Sequence, residues 1–481
     1  MNKRLTFKLI GKVLLVEAAL MLVPLAVSLI LGGGDAVAML IAMLVTAAVG
    51  GGLSIIPTRN DNLRARDGFA VVSFSWLLVS FFGALPFWIH GCIPSLLDAF
   101  FETVSGFTTT GATILTDVEA LPAGLLFWRS FTHWVGGMGV LVLSLALLPK
   151  MGARSIYLMR AESPGPSVDK LVPRVGNNAK ILYQLYVWLS VLMLIALLCT
   201  GMNLYDALIH VFGAAGTGGF SNYNASVGAF DSAAVEIIIG VFMALFGVNF
   251  SMYYYMLRRN WRVCTSNSEL RAYVGLVLGA SVLIALNIMP QYGGKFFTSL
   301  RYSFFQVSSV MTTTGYATAD FDVWPQFSRT LLVGLMLVGA CAGSTGGGIK
   351  VIRVQLLVKG MIREIRRTIH PRSVNTVRLD GRTVEDGLLS GVLSFFFAYM
   401  CVLVASTLII SLDGFSFETN LTAVIATLSN IGPGLGMVGP TGNFSAFSSL
   451  SKVVLSLCML IGRLEIFPML MLLAPSAWRT Y

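Results

Sequence analysis

Charge is what this sequence has least of. Only 12% of its 481 residues are Asp, Glu, Lys or Arg, about half of the roughly 25% usual in soluble globular chains. That deficit excludes an ordinary water-soluble domain. Histidine and cysteine are scarce as well. The 4 histidines show no HExxH-type spacing, so a metalloenzyme is not expected. The 6 cysteines (Cys92, Cys199, Cys264, Cys341, Cys401 and Cys458) form no CxxC pair and fall in or beside apolar stretches, where a free thiol is small apolar filler. No cleavable signal peptide is expected either. The apolar run after the basic residues 1–12 leads into Gly32-Gly33-Gly34 and a second apolar run, without a small-residue cleavage pattern.

Hydrophobic residues fill the space that charge leaves, at 56% of the chain. They gather in about ten segments: Leu14–Leu31, Ala36–Val49, Val71–Ile89, Leu125–Leu148, Ile181–Thr200, Ala233–Leu257, Tyr273–Met289, Leu331–Ala342, Leu388–Ile410 and Val453–Leu473. A helix of roughly 20 such residues spans a bilayer, so an all-α polytopic membrane protein is predicted. Most of the 33 lysines and arginines sit in clusters at 3–12, 59–66, 150–180, 258–271 and 350–382, while 85–125, 200–235 and 412–448 hold none. Positive charge marks the cytoplasmic side. The alternation therefore predicts a multi-pass topology with both termini inside, and makes the basic clusters topology signals rather than a nucleic-acid surface.

Between the spans lie four shorter apolar stretches, each closed by a Thr/Gly-rich turn. They run Leu97–Phe107 into Thr108–Thr113, Tyr205–Ala214 into Gly216–Ser221, Phe297–Met311 into Thr312–Ala317, and Phe417–Leu428 into Ser429–Gly434. Span, half-span, turn, span recurs four times, and such a repeat governs the reading of every motif inside it. Asp98, Asp206 and Thr419 each stand thirteen residues before Gly111, Gly219 and Gly432. Each is an N-cap type, which selects Gly219 over Gly218 as the equivalent glycine; Tyr302 at that offset in the third repeat breaks the rule. Irregular backbone at membrane depth must be buried in protein or line a wet cavity. Four such segments meeting on one axis can replace a cation's water shell with carbonyl oxygens. The half-spans would aim the partial negative charge of their C-terminal ends at that axis, and Asp117, Glu119 and Asp231 would attract cations to its outer mouth.

With these four turns the sequence resembles the potassium-translocating membrane subunits of the Trk/Ktr superfamily, in particular the TrkH-like branch, over nearly its whole length. The resemblance implies four span–pore-helix–span units around a central pore plus two extra N-terminal transmembrane helices. The boundaries are residues 1–67 for the extra helices, then 68–150, 175–262, 268–368 and 384–481 for the units. It implies a K+ filter built from Thr109, Thr110 and Gly111; Thr217, Gly218 and Gly219; Thr313, Thr314 and Gly315; and Asn430, Ile431 and Gly432. Ile431 and Pro433 depart from the Thr-Gly pattern, which fits the less symmetric filter of that family.

Gly343–Lys350 interrupts the second span of the third repeat. It is not a nucleotide P-loop, because Ile349 separates the last glycine from Lys350 and no strand precedes it. Three consecutive glycines would break the helix. The family's matching loop lies under the filter and restricts passage, which implies a gate of Gly346, Gly347, Gly348 and Lys350. Arg463 lies within the last span, where a charge is costly and faces a cavity or a partner. The resemblance puts it in the pore beneath the filter. Residues two apart on a helix do not share a face, so Glu465 is not its expected partner. Gly434–Gly439 spells GxGxxG but follows a turn instead of a strand, so no dinucleotide site is expected.

The function that the four turns and the resemblance together imply is potassium uptake through a gated pore in a bacterial inner membrane. Potassium is the transported ion, and no covalent cofactor and no enzymatic constellation are expected. A K+/H+ or K+/Na+ symporter is the alternative. The resemblance further implies a homodimer and a cytoplasmic nucleotide-binding regulatory protein, with the lipid bilayer as surroundings; the basic loop 350–382 fits part of the docking surface for that protein and fits contact with membrane phosphates equally well.

Overall fold

The computed structural model describes residues 2–58, 65–139, 175–373 and 375–473. Apart from one hairpin, these residues form helices and their connections. The first hairpin of helices comprises α1 (Lys3–Leu20), α2 (Leu22–Leu31) and α3 (Ala36–Ser54). Pro24 sits in the first turn of α2, where its missing N–H costs no helical bond. The buried Asp35 precedes α3, and its carboxylate accepts from the Ser28 hydroxyl and from the Leu125 N–H at 2.8 Å. That ties the α2–α3 corner to the start of α6 (Ala123–Gly137).

Four units follow. The first holds α4 (Ala65–His90), α5 (Leu96–Phe107) and α6. The second holds α7 (Val175–Leu198), α8 (Leu204–Gly216), α9 (Ala233–Phe246) and α10 (Phe250–Leu257). After α11 (Trp261–Ser266), the third has α12 (Ser268–Ile288), α13 (Phe296–Met311), α14 (Gln326–Val338) and α15 (Val351–Ile369). The hairpin β1 (Arg378–Leu379) and β2 (Arg382–Thr383) intervenes, turning on Asp380-Gly381 with both φ angles positive, as a two-residue hairpin loop requires. The fourth unit has α16 (Asp386–Ile410), α17 (Phe417–Leu428), α18 (Ser449–Arg463) and α19 (Phe467–Leu473).

Six stretches are long and apolar enough to cross a membrane: Lys3–Leu31, Ala36–Ser54, Asp67–His90, Lys180–Leu198, Ser268–Tyr292 and Asp386–Asp413. Large apolar side chains such as Trp188, Phe397 and Leu408 are exposed on these helices, the arrangement expected of surfaces that face lipid. The chain is an all-α multi-pass membrane protein. About ten spans were expected, and the difference has a cause: the second long segments are broken. The Ala233–Leu257 span bends by 93° between α9 and α10. The expected Leu331–Ala342 segment is α14, which begins earlier and stops at Val338. Val453–Leu473 divides between α18 and α19 at Glu465 and Ile466, both with positive φ. The sequence marked a break only in the third unit. The later part of Leu125–Leu148, and most of the basic cluster 150–180, lie outside the described residues.

Packing closes the units into a circle. The short helix α8 lies on α6 of the unit before it, α13 lies on α9, and α17 touches α14. The last long helix, α18, packs on α5 of the first unit. Each short helix is thus lodged between its own unit and its neighbour.

Replacing Asp35 by Ala leaves the Ser28 hydroxyl and the Leu125 N–H unpaired in a buried corner. Thermal unfolding in detergent should show a loss of about 1–3 kcal/mol, whereas Val37→Ala on the exposed face of α3 should leave the midpoint within error.

Candidate functional site

The four short helices end alike. Three begin with side-chain caps: Ser95, Asn203 and Ser416 accept from the N–H of Asp98, Asp206 and Thr419. The caps are therefore three residues upstream of those expected, and Asp98 and Asp206 instead place their charge in the first turn, where the helix dipole favours it. α13 has Lys295 at that position and no side-chain cap. The constant offset still gives the same register for all three capped helices.

At the C-terminal ends, the N–H groups of Thr110, Gly218, Thr314 and Ile431 bond the carbonyls of Ser105, Gly213, Ser309 and Ala426 at 2.8–2.9 Å. The preceding residues bond three back, Thr109 to Gly106, Thr217 to Ala214, Thr313 to Val310 and Asn430 to Thr427. This pair of bonds is a Schellman end, which needs a left-handed residue and most often uses glycine. Here Thr109 (φ 54°), Thr217 (56°), Thr313 (61°) and Asn430 (58°) occupy it. Three β-branched residues in that conformation hold strain that the surroundings must impose. Two residues on, Gly111, Gly219, Gly315 and Gly432 have φ of 80°, 77°, 87° and 98°, while Gly218 is not in that region.

The glycines lack room for a side chain as well as the backbone angle for one. A Cβ on Gly111 would strike the carbonyl oxygen of Gly218, one on Gly219 that of Thr314, one on Gly315 that of Ile431, and one on Gly432 that of Thr110. Each contact reaches the next unit, and the fourth returns to the first. The carbonyls of residues 110, 218, 314 and 431 therefore form one closed ring, and all four glycines line a single cavity of about 150 Å³ outside it.

The ring is braced unequally. Thr108 and Thr110 share a hydroxyl–hydroxyl bond of 2.8 Å, and so do Thr312 and Thr314. The second unit has glycines at these positions, and in the fourth Ser429 bonds the Tyr399 hydroxyl. Asn430 Nδ2 donates to Thr110 Oγ1 and to the Met459 carbonyl, both at 2.9 Å.

Sequence reasoning missed a second shell of braces. Glu102 and Arg129 form a fully buried ion pair at 2.7 Å. Glu102 also accepts from the Thr113 hydroxyl and the Ile114 N–H, and Arg129 donates to the Ser221 carbonyl while its guanidinium lies 3.5 Å over the Phe220 ring. His133 stacks on Phe220 at 4.1 Å and bonds the Gly106 carbonyl at 2.7 Å. The Tyr316 hydroxyl donates to the Phe220 carbonyl at 3.1 Å, joining the third unit to the second. The signal was present: Glu102 and Arg129 are ionisable residues inside apolar stretches, which need a partner. Asp117 and Glu119, expected at the mouth, accept from Asn224 and pin the segment after the first turn to that after the second.

On the helix side of the ring lies the loop from Gly339 to Lys350. The Gly347 N–H donates to Thr313 Oγ1 at 2.6 Å, and its Cα faces the Ser429 carbonyl too closely for a Cβ. A Cβ on Gly346 would sit 2.9 Å from the Thr312 carbonyl oxygen. Gly348 turns away and packs on Gly339 at the neck of the loop. Lys350, buried and with φ 83°, donates from Nζ to the Gly346 carbonyl. Arg463 donates to Thr345 O at 2.8 Å and to the Gly136 and Gly137 carbonyls, so it links this loop to the end of α6. Glu465 pairs with Arg353, which lies 4.0 Å over Phe395. Glu269 accepts from the N–H groups of Ala342 and Ile352 at 2.7 and 3.2 Å, clamping both roots of the loop.

Half-helices that meet in a closed carbonyl ring within a membrane bundle define the class: a polytopic membrane protein built to pass an ion. The chain belongs to the TrkH family of cation transport proteins, whose model matches residues 36–291 and 295–479. It is similar to the Trk system potassium uptake protein TrkH of Salmonella typhimurium, 39% identical over 488 residues and 100% of both chains. The protein of the same name from Escherichia coli K12 is 38% identical, again over 100% of both. The crystal structure of the potassium transporter TrkH from Vibrio parahaemolyticus superposes with a TM-score of 0.88 at 34% identity, covering 100% of each chain.

Arg129→Met strands the Glu102 charge in the interior and should cost about 3–5 kcal/mol of stability. The double variant Glu102→Leu with Arg129→Met should recover much of it, as read by denaturant unfolding in detergent.

Proposed function

We propose that this chain carries K+ into the cell through a gated pore. The observation that carries the reading is the closed ring of the Thr110, Gly218, Thr314 and Ile431 carbonyls, with the names of the full-length relatives supplying the ion. The carbonyls exchange for the hydration shell of a cation, and the four half-helices direct the negative ends of their dipoles toward it. Thr109–Gly111, Thr217–Gly219, Thr313–Gly315 and Asn430–Gly432 make the filter. Gly346, Gly347, Gly348, Lys350 and Arg463 make the gate. Support for the gate comes from the loop's bonds to Thr313 and from the arginine that anchors Thr345.

The chain does no bond-making chemistry in this reading. It sits in a bacterial inner membrane with both termini inside, a reading supported by the lysines and arginines clustered at 3–12, 258–271 and 350–382, since positive charge marks the cytoplasmic side. It works as a homodimer, and a cytoplasmic nucleotide-binding protein of the Trk type sets the gate. Such a partner would meet the exposed basic residues of α15, among them Arg366 and Arg367.

Flux of K+ or Rb+ into proteoliposomes of the purified chain tests the filter. Wild type should prefer K+ over competing Na+, and Gly315→Asp should abolish the flux. Undiminished flux in that variant would remove the ring from the ion's path. The gate has its own test. Like unit charges about 8 Å apart repel by about 2 kcal/mol at an effective dielectric of about 20, so a positive charge near the path raises the barrier for a cation. Arg463→Ala should therefore raise flux without any partner by roughly tenfold or more, and unchanged flux would exclude Arg463 as a barrier.

A further inference from the structure

Glu17 is the one buried carboxylic side chain whose two oxygens both lack a hydrogen-bond partner among the described residues. It lies on α1 at 2% exposure, well inside the Lys3–Leu31 span. It faces the junction where α1, α4 and α5 converge on Gly83. A Cβ at Gly83 would meet Glu17 Oε1 at 3.2 Å, Thr103 Cγ2 at 2.9 Å and the edge of the Phe107 ring. Phe107 is the last residue of α5, and the first filter turn begins immediately after it.

Among the described residues, no counter-charge reaches this place. α2, α3 and α19 carry no ionisable residue, and neither does α4 from Gly68 to Ile89. On α5, Asp98 is paired with Lys452 and Glu102 with Arg129. On α18, Arg463 approaches α4 at Trp76, 5.9 Å from its ring, and is bonded to backbone carbonyls. Lys8 and Lys12 of α1 lie on turns nearer its N-terminus. A lone carboxylate in such surroundings carries a large desolvation cost. Ser80 and Trp76, one and two turns from Gly83 on the same face of α4, keep buried donors that have no acceptor.

We propose that Glu17 is a proton-binding site coupled to K+ occupancy of the first filter turn. The inference rests on the K+ reading above. The reaction is loss of a proton from the Glu17 carboxyl to water, leaving a carboxylate beside the end of α5. That negative charge adds to the partial charge of the helix end and favours a cation in the ring. By linkage, K+ in the ring weakens proton binding by the same factor. The proton and the potassium ion thus oppose each other across the Phe107 ring.

The test uses the full chain in lipid. In wild type the apparent affinity for K+, from flux titrations, should tighten by about fivefold or more as the pH is raised, the lower range of such couplings. Glu17→Gln, which copies the shape of the neutral acid, should stay at the weak value throughout. Infrared difference spectra should show the carbonyl stretch of a protonated carboxylic acid in wild type, absent from Glu17→Gln and diminished on adding K+. A pH dependence that survives in Glu17→Gln overturns the proposal, and so does a spectrum with no such band to lose. Should the variant fail to insert, the K+-dependent change of the wild-type band decides. A wild type that passes no K+ at any pH, even with its regulatory partner, but whose band still diminishes on adding K+ would defeat the transport reading and leave the K+-coupled proton site standing.

Discussion

A helix that stops half-way through a bilayer leaves carbonyls with no water to bond, and the rest of this structure is arranged around that constraint. Four helices stop in this way, and each hides its end by the same two backbone bonds and a left-handed residue. Those bonds satisfy two carbonyls per helix and leave the next ones free. The free ones can be left unbonded only inside a protein wall. The wall is made by lodging every short helix between its own unit and a neighbour, and by closing the circle where α18 meets α5. The ring contacts from Gly111 around to Thr110 are the inner edge of that wall.

The four turns are alike in backbone and unlike in support. Threonine hydroxyl pairs stiffen the first and third, a tyrosine and an asparagine hold the fourth, and the second relies on the aromatic stack of His133, Phe220 and Arg129. A single chain can afford this variety, since each position mutates independently of its three counterparts. The loop on the helix side uses the variety too: it bonds Thr313 and presses against Ser429, and so engages the third and fourth turns.

Much of this was legible in the sequence because hydrophobic length is a one-dimensional property. The four half-spans were read within a residue or two of α5, α8, α13 and α17, and the glycine register followed from offset alone. The breaks at Gly247–Asn249 and at Leu464–Ile466 were not legible. Nothing in Leu464-Glu465-Ile466 resembles a helix stop, and the left-handed angles there are set by tertiary contacts such as the Arg353–Glu465 pair. The caps were placed one turn late because Asp98 and Asp206 are themselves good capping types, and only the backbone geometry separates a cap from a first-turn acid. The Glu102–Arg129 brace joins residues 27 apart. Each was visible, yet their meeting depends on how α5 and α6 pack.

The bond from Asn430 to Thr110 spans 320 residues, and it sets a timetable for the chain's own manufacture. At about 5–20 residues per second, roughly 15 to 60 s separate the synthesis of the first turn from that of the fourth. Until then the ring has a missing side, and the first three half-helices wait in the membrane with their inner edge unsealed. The left-handed threonines at 109, 217 and 313 can be held in place by local Schellman bonds during that interval, but the contact between Gly432 and Thr110 arrives last. Closure of the ring is thus an event of late translation.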